Sequence, residues 1–485
     1  MNDLEKNYLL KALPRGAGDH NETPHARWMK PENIAFKPDY AYGTKIGDRV
    51  LLGQFRSDLI GYKDDAHIMT IAGSRAGKGV SAIIPNLLCY RGAVLVIDPK
   101  GENAYKTATH RAKVLGQKVV VLDPFQVSGD HLDEYRKSFN PMAFLNPESE
   151  TLVEDAGLIA DALVVRSGGD THWDDTARNF IEGLILHVAT DPEFEGRRTL
   201  GEVRDCLIET SGEEHSPLIA AMLDNEAAYG VIIKAAMDLS GKPENERGSV
   251  LSTARRHTKF LDLPKLQAVL QDHDFDLAEL KTALKGLSIY LCLPAGRMGV
   301  CSAWFRLFIN LALEAMEREQ TKPKIPALFI LDEFAVLGHM KQIEDAAGQI
   351  AGFGVKLWPI LQDLGQLKAL YKDRWQTFMG NAGILQFFGN NDIDTLEYIT
   401  RRLGKTSVQV ARQSETTGGQ RQEGASGLSW ATEIHDLITP EEAARFFGKD
   451  NPLKRQLVLI AGKNPMVIER IIYHNHDLFK DWVPS

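Results

Sequence analysis

Short runs of apolar residues, each closed by a glycine, an acid or a proline, recur along this chain and predict buried β-strands. They lie at 68–71, 92–98, 118–123, 286–294, 327–331, 355–362 and 382–388. Helical periodicity at 104–115 and 305–317 separates some of them. Because strand–helix–strand order at this spacing implies right-handed crossovers between parallel strands, we predict an α/β fold with a mainly parallel sheet.

A different pattern fills the middle of the chain. From about 146 to 284, apolar residues recur with helical spacing, as at 152–163, 180–189, 218–223 and 231–239. Asn146 followed by Pro147 predicts a helix start there. We interpret 146–284 as an inserted all-α domain, preceded by a polar arm (1–44) and flanked by the two parts of the sheet domain (45–145 and 285–485).

Three further patterns concern the ends of the sheet domain. A strand at 50–54 is separated from the run at 68–71 by a polar turn around 63–65. The segment 409–429 is rich in Gln, Gly, Ser and Thr and predicts a mobile loop. Thr439 and Glu442 form a capping box that opens a short helix, and 456–461 with 467–472 predict a closing hairpin.

A glycine-rich turn follows the strand-like run at 68–71 and leads into a helix. Converging backbone N–H groups, the charge of Lys78 and the dipole of the following helix are typical of a site for phosphate groups. Its candidate binding residues are Gly73, Ser74, Arg75, Ala76, Gly77, Lys78, Gly79 and Val80. This P-loop has Ala72 in place of the first glycine, and Gly79 in place of the Ser or Thr that helps to hold Mg²⁺. Ser74, Ser81 or water would then substitute, and the alternative is a turn without a ligand.

The run 327–331 ends in Asp332 and Glu333. A buried parallel strand delivers such acids to the sheet edge where ligands bind. There Asp332 would hold hydrated Mg²⁺, and Glu333 would polarise an attacking water, as in a Walker B motif. A surface acidic pair is the alternative, which the upstream P-loop disfavours. Together the two motifs predict binding and hydrolysis of ATP, so the sheet domain is interpreted as the nucleotide-binding domain.

Composition narrows the class of protein. The chain has 485 residues, 44% hydrophobic and 25% charged, which describes a soluble globular protein too long for one compact core. Its four scattered cysteines predict free thiols rather than a metal site. A net charge of −9 argues against a broadly basic surface but does not exclude a local basic channel. We identify no apolar run of about 20 residues and no secretory signal.

Several blocks of this sequence, taken in order, resemble the coupling proteins of type IV secretion and bacterial conjugation, the TraG/VirD-type DNA-transfer ATPases. The resemblance extends from about Ala26 to about Phe447. It rests on the blocks GKGVSAIIPNLL, VLVIDPKGEN, HWDDTARNFIEGLILH, LFILDEFAVLG, LQDLGQLKALY and FFGNND, on Phe139-Asn140-Pro141 and on the segment Ile438 to Glu442.

The resemblance implies a RecA-like motor with ATP and Mg²⁺ as cofactors. It implies that six identical subunits form a ring, which passes a relaxase–DNA complex or an effector protein to the secretion channel. It also implies that glycine is tolerated at Gly79 and that Gln362 senses the γ-phosphate. Family members usually begin with two membrane helices, so we expect association with the inner face of the inner membrane, through an anchor removed from this chain or on a separate subunit.

The sequence leaves the substrate contacts and the arginine finger open. Candidate DNA contacts lie in two basic clusters, Arg255, Arg256 and Lys259 in the insertion, and Arg401 and Arg402 after the block FFGNND. The alternative is that these basic residues lie on solvated helix faces and do not contact DNA. Between Glu333 and Gln362 the chain has no arginine, only Ala351 and Lys356 at the expected places. The alternatives to a motor are a nucleotide-binding docking platform without sustained turnover, and a ring ATPase that acts on DNA outside secretion.

Overall fold

The structure is a computed structural model of the chain and describes residues 25–35, 47–165, 172–213, 215–413 and 428–484. The strands are β1 (Val50–Phe55), β2 (Asp58–Tyr62), β3 (His67–Ala72), β4 (Val94–Asp98), β5 (Lys118–Leu122), β6 (Leu287–Cys292), β7 (Ala327–Leu331), β8 (Val355–Leu361), β9 (Ala382–Phe388), β10 (Lys405–Gln413), β11 (Leu428–Asp436), β12 (Arg455–Ile460) and β13 (Met466–Glu469). The helices are α1 (Pro31–Ala35), α2 (Ile84–Cys89), α3 (Glu102–Lys113), α4 (Leu152–Leu163), α5 (His172–Thr190), α6 (Leu200–Glu209), α7 (Pro217–Asp224), α8 (Val231–Ser240), α9 (Glu244–Thr258), α10 (Pro264–Gln271), α11 (Glu279–Thr282), α12 (Met298–Arg318), α13 (Lys341–Gln349), α14 (Leu364–Tyr371), α15 (Trp375–Asn381), α16 (Ile393–Leu403) and α17 (Pro440–Phe446).

An 11-stranded sheet forms the centre of the molecule, in the order β2-β1-β13-β12-β9-β3-β8-β7-β4-β6-β5. The strands from β9 to β5 are parallel. The strands from β12 to β2 extend the sheet in antiparallel pairs, and they include the predicted closing hairpin β12–β13. The predicted α/β fold with a mainly parallel sheet is therefore confirmed.

The parallel strands are buried on both faces of the sheet. In β4, Leu95 and Ile97 pack into one hydrophobic cluster, whereas Val94 and Val96 pack into another. Helices lie against both faces, so apolar residues are needed on each side of a strand. This arrangement explains why the sequence shows continuous apolar runs instead of an alternating pattern, and it leaves the carboxyl ends of the strands for polar groups.

Between β5 and β6 the described chain builds helices α4 to α11. Helix α5 contacts α4, α8 and α9, and α4 in turn packs against α12 of the sheet domain. The predicted domain limits at 146 and 284 enclose these helices and remain a prediction.

Helix α12 corrects the expectation that no apolar run is of bilayer length. Within the described chain, Ala295–Arg318 is long and apolar enough to cross a membrane by length and composition. However, 78% of its most apolar window is buried inside the protein, and Trp304, Phe305 and Phe308 are fully buried. Its surroundings are those of a core helix.

Two local predictions are wrong, and one strand was not predicted. No helix starts at Asn146, whose side chain accepts a hydrogen bond from the N–H of Glu148 in a turn, and α4 begins only at Leu152. Strand β2 was missed, although it pairs with β1 as a hairpin. The predicted loop at 409–429 is partly strand, because β10 and β11 pair along their whole length. Its remaining residues, 414–427, and most of the predicted arm at 1–44, lie outside the described residues.

Candidate functional site

The P-loop leaves the carboxyl end of β3, which lies between β9 and β8 in the sheet. It enters a single π-helical turn at Gly79–Ile83 that continues as α2, where the sequence predicts a helix. Arg75 and Gly77 have φ values of 56° and 88°, so the loop curls through left-handed backbone conformations. The predicted binding residues Gly73 to Val80 are thus gathered in one loop at the centre of the sheet edge.

Gly73 and Gly79 differ in the space available for a side chain. A Cβ atom at Gly73 would lie 1.9 Å from the carbonyl oxygen of Gly389, because the P-loop and the end of β9 touch backbone to backbone. A Cβ at Gly79 would meet no atom within 4 Å. Glycine is therefore required at 73 for close packing, whereas the space at 79 would admit a serine.

Arg470 supports the P-loop from behind. Its guanidinium donates to the carbonyl oxygen of Ala76, and to those of Lys449 and Lys454, while it lies 5.0 Å from the centroid of the Phe388 ring. Burial lowers the pKa of Arg470, which is 4% exposed. A distant segment of the chain thereby fixes the carbonyl side of the loop.

The predicted catalytic side chains meet at the ends of three neighbouring strands. Lys78 Nζ lies 3.5 Å from Glu333 Oε1, and Gln362 Nε2 donates to Glu333 Oε2 at 3.1 Å. Glu333 adopts a left-handed conformation, with φ 52° and ψ 44°, which is strained for a residue with a side chain. The structure therefore joins the P-loop lysine, the Walker B glutamate and the predicted sensor in one chain of contacts.

Two buried acids lie beside this group. Burial raises the pKa of Asp332 to about 6, against the opposing charge of Lys78. Burial also raises the pKa of Asp98, at the end of β4, to about 7, and the nearby Asp332 raises it further. Asp98 Oδ2 accepts the N–H of Ala104 at 2.8 Å and so supports the start of α3. Asp332 instead accepts only the N–H of Glu333 among the hydrogen bonds of the described chain.

The surroundings of Asp332 fit a hydrated Mg²⁺ ion. A divalent cation favours the ionised carboxylate that burial disfavours, and it offsets the proximity of Glu333 and Asp98. Within the described residues, no group of three or more His, Cys, Asp or Glu is placed to hold a metal. An ion beside Asp332 would be held by this one carboxylate, by water and by phosphate oxygens. The Ser81 hydroxyl already donates to the Gly77 carbonyl at 2.7 Å, and Ser74 is exposed.

The candidate DNA contacts differ in their exposure and in the groups that they contact. Arg255 donates to the carbonyl oxygens of Leu207, Ile208 and Thr210, so it caps the end of α6. Arg256 is 63% exposed and pairs with Asp174. Lys259, Arg401 and Arg402 are exposed, the last two on α16.

Lys356 occupies one of the places at which an arginine finger was expected. It is buried and pairs with Asp64. It therefore faces the interior of its own subunit and does not serve as a finger. Asn390, Arg470 and Asp98 were not singled out from the sequence. The blocks FFGNND and VLVIDPKGEN contain two of them, but nothing local marks Arg470.

A family model described as "Type IV secretory system Conjugative DNA transfer" matches residues 21–485. Conjugal transfer protein TraG of Escherichia coli is 28% identical over 405 residues, which is 79% of this chain and 62% of that protein. Protein VirD4 of Agrobacterium fabrum (strain C58 / ATCC 33970) is 26% identical over 487 residues, which is 98% of this chain and 67% of the relative. The chain thus spans about 62% of the length of the TraG relative.

Solved structures show the same fold. The bacterial conjugative coupling protein TrwBdeltaN70 superposes with a TM-score of 0.65 at 17% identity, covering 94% of this chain and 96% of that chain. Plasmid coupling protein TrwB in complex with ADP and Mg²⁺ superposes with a TM-score of 0.62 at 16% identity, covering 94% and 97%. These similarities confirm the predicted RecA-like P-loop fold.

Proposed function

The chain belongs to the type IV secretory system conjugative DNA transfer family, and from this premise we propose that it is an ATP-hydrolysing coupling protein. It recruits DNA, as a relaxase–DNA complex, or an effector protein, and pumps it into a type IV secretion or conjugation channel as a homo-hexameric ring. We expect it to work at the inner face of the bacterial inner membrane, with an anchor of its own or on a separate subunit.

One observation carries the proposal of hydrolysis: Glu333 lies between Lys78 and Gln362, at 3.5 and 3.1 Å. A carboxylate held in a strained conformation between a phosphate-binding lysine and an amide is placed to take a proton from an attacking water. Neighbours in solved structures support the nucleotide, since TrwB has been solved in complex with the ATP analogue ADPNP and with ADP and Mg²⁺.

Each residue then has a separate task. Lys78 leaves Glu333 and binds the β- and γ-phosphates, together with the backbone N–H groups of the P-loop. Glu333, released from the lysine, orients the water and accepts its proton. Gln362 donates its amide hydrogen toward the γ-phosphate and so reports whether that group is present. Asp332 would hold hydrated Mg²⁺, which when bound neutralises charge that develops on the phosphate oxygens.

A docking platform without sustained turnover is the second candidate, and Gly79 favours it. Without a hydroxyl at this position, the metal has one protein ligand fewer than in a usual P-loop. The absence of an arginine between Glu333 and Gln362 in the sequence points the same way. Against it, a platform has no need of the catalytic carboxylate that Glu333 supplies.

The test is ATP hydrolysis by the purified protein, with and without single-stranded DNA, beside its mass in solution. Turnover that DNA stimulates in an assembly of six subunits supports the motor, and Lys78→Ala provides the inactive control. Nucleotide binding without turnover, in an assembled ring with DNA present, contradicts the motor and supports the platform. If DNA stimulates turnover of the wild type, but cells with the inactive Lys78→Ala variant still transfer DNA or effector normally, the ATPase acts outside secretion.

A further inference from the structure

Asn390 lies at the same sheet edge as the catalytic group but was given no role above. It follows β9 and Gly389, whose φ is 67° and whose carbonyl oxygen crowds the P-loop at Gly73. β9 and β8 lie on either side of β3, so Asn390 and Gln362 end the two strands that flank the entry to the P-loop.

The side chain of Asn390 makes one hydrogen bond and leaves one group unsatisfied. Its Nδ2 donates to the carbonyl oxygen of Gln362 at 3.3 Å. The residue is only 4% exposed, and its Oδ1 is buried with no hydrogen-bond partner. The amide orientation is determined by this contact, because the reverse orientation would place two oxygen acceptors against each other.

Gln362 is held at three points, and Asn390 provides one of them. Its N–H donates to Gln366 Oε1 at 2.9 Å, its carbonyl accepts from Asn390, and its side chain reaches Glu333. The carbonyl contact is the only one of the three that ties Gln362 to the strand on the far side of the P-loop. Loss of this contact would let the end of β8 shift relative to the phosphate site.

We propose that Asn390 is a positioning residue for ATP hydrolysis, which holds the main chain of Gln362 so that its amide stays in register with Glu333 and the γ-phosphate. This inference depends on the proposed ATPase function. The hydrogen bond to the Gln362 carbonyl distinguishes Asn390 from other buried amides, since Asn310 on α12 also has an unpaired Oδ1.

The chain offers a matched control in Asn310. Its Nδ2 also donates to a carbonyl oxygen, that of Leu158 at 3.5 Å, and its Oδ1 is also buried without a partner. It lies on the core helix α12 and is 1% exposed. Asn390→Leu and Asn310→Leu therefore remove the same groups from the same kind of environment, and only the first lies at the nucleotide site.

In the test, kcat and the KM for ATP are measured for the wild-type protein and both leucine variants, with thermal unfolding in parallel. We expect Asn390→Leu to lower kcat by about tenfold to a hundredfold, as small displacements of catalytic groups do, with a nearly unchanged KM. Asn310→Leu should leave kcat within about twofold of the wild type because its site is remote. Equal losses in both variants, or an unchanged kcat in Asn390→Leu, would overturn the positioning role.

Asn390→Asp provides an independent readout that a packing role would not produce. An ionised carboxylate repels the Gln362 carbonyl oxygen, whereas the protonated acid donates a hydrogen bond to it as the amide does. The kcat of this variant, divided by that of the wild type, should therefore rise as the pH falls from about 8.5 to about 6.5, since burial raises the pKa of an aspartate. A ratio independent of pH would contradict the inference. If the wild-type protein shows no turnover, the proposed function itself is refuted. If the wild type and Asn390→Leu are both active, only this inference is refuted.

Discussion

Replacement of Glu333 by glutamine should separate ATP binding from hydrolysis. The carboxylate contacts Lys78 at 3.5 Å, with side chains 11% (Lys78) and 30% (Glu333) exposed, and this pair must open before the lysine binds phosphate. A partly exposed ion pair contributes about 0.5–1 kcal/mol net. Its loss should therefore tighten ATP binding by about two- to fivefold, since 1.4 kcal/mol corresponds to about tenfold.

The same variant loses the group that accepts the proton of the attacking water. General-base catalysis contributes about 10²–10⁴-fold to rate, so kcat should fall by that factor. Glutamine keeps an oxygen that accepts the hydrogen bond from Gln362 Nε2, so the geometry of the site is conserved. Glu333→Gln should trap ATP in a stalled ring.

Fluorescent ATP-analogue titration and steady-state hydrolysis check the two effects. Glu344→Gln is the matched control, because Glu344 is 12% exposed and pairs with Arg374 and His339, outside the chain of contacts at Lys78. It should change neither quantity by more than about twofold. ATP binding that is weaker in Glu333→Gln than in the wild type, or a kcat within threefold of it, would refute the reasoning.

The remaining predictions test the loop, the metal ligand and the basic cluster. Gly79→Ser should fit without loss of stability and should lower the Mg²⁺ concentration for half-maximal turnover, which a Mg²⁺ titration checks. Gly73→Ala should abolish nucleotide binding, which calorimetry checks. Burial raises the pKa of Asp332 from 3.8 to about 6. The buried, ionised carboxylate therefore destabilises the folded protein at high pH, whereas below pH 3.8 the group is protonated in both states and this destabilisation disappears. Asp332→Asn should therefore stabilise the protein by about 1–3 kcal/mol at pH 8, but not near pH 4, in urea unfolding at both pH values. Wild-type turnover should fall as the pH drops below about 6, since the protonated acid no longer holds the cation. Arg255→Ala should cost about 1–3 kcal/mol of stability, because it leaves carbonyl oxygens at the end of α6 without a donor. The exposed Arg256→Ala should lower the thermal midpoint less, because His257 still contacts Asp174, and it should weaken DNA binding with a smaller salt slope.

Local chemistry was sufficient to locate the phosphate loop and the acidic strand end. Gly73 to Lys78 form a loop because glycine positions and the flanking strand act within a few residues of one another. The acids at 332 and 333 reach the sheet edge because any buried parallel strand ends there. Predictions that depended on local composition alone were less successful, since both ends of the Gln-, Gly-, Ser- and Thr-rich segment 409–429 belong to the paired strands β10 and β11.

The sequence by itself determined the fold class, the phosphate loop around Lys78 and the acidic pair at Asp332 and Glu333, because a local pattern marks each of them. The role of Gln362 came from the family resemblance. Only the tertiary structure decided which distant residues support them. Arg470 reaches the carbonyl of Ala76 across 394 positions, and Lys356 turns inward because Asp64 lies beside it. Whether a basic or amide side chain binds a ligand, caps a helix or holds a loop depends on the groups that folding places around it, and no local pattern records those neighbours.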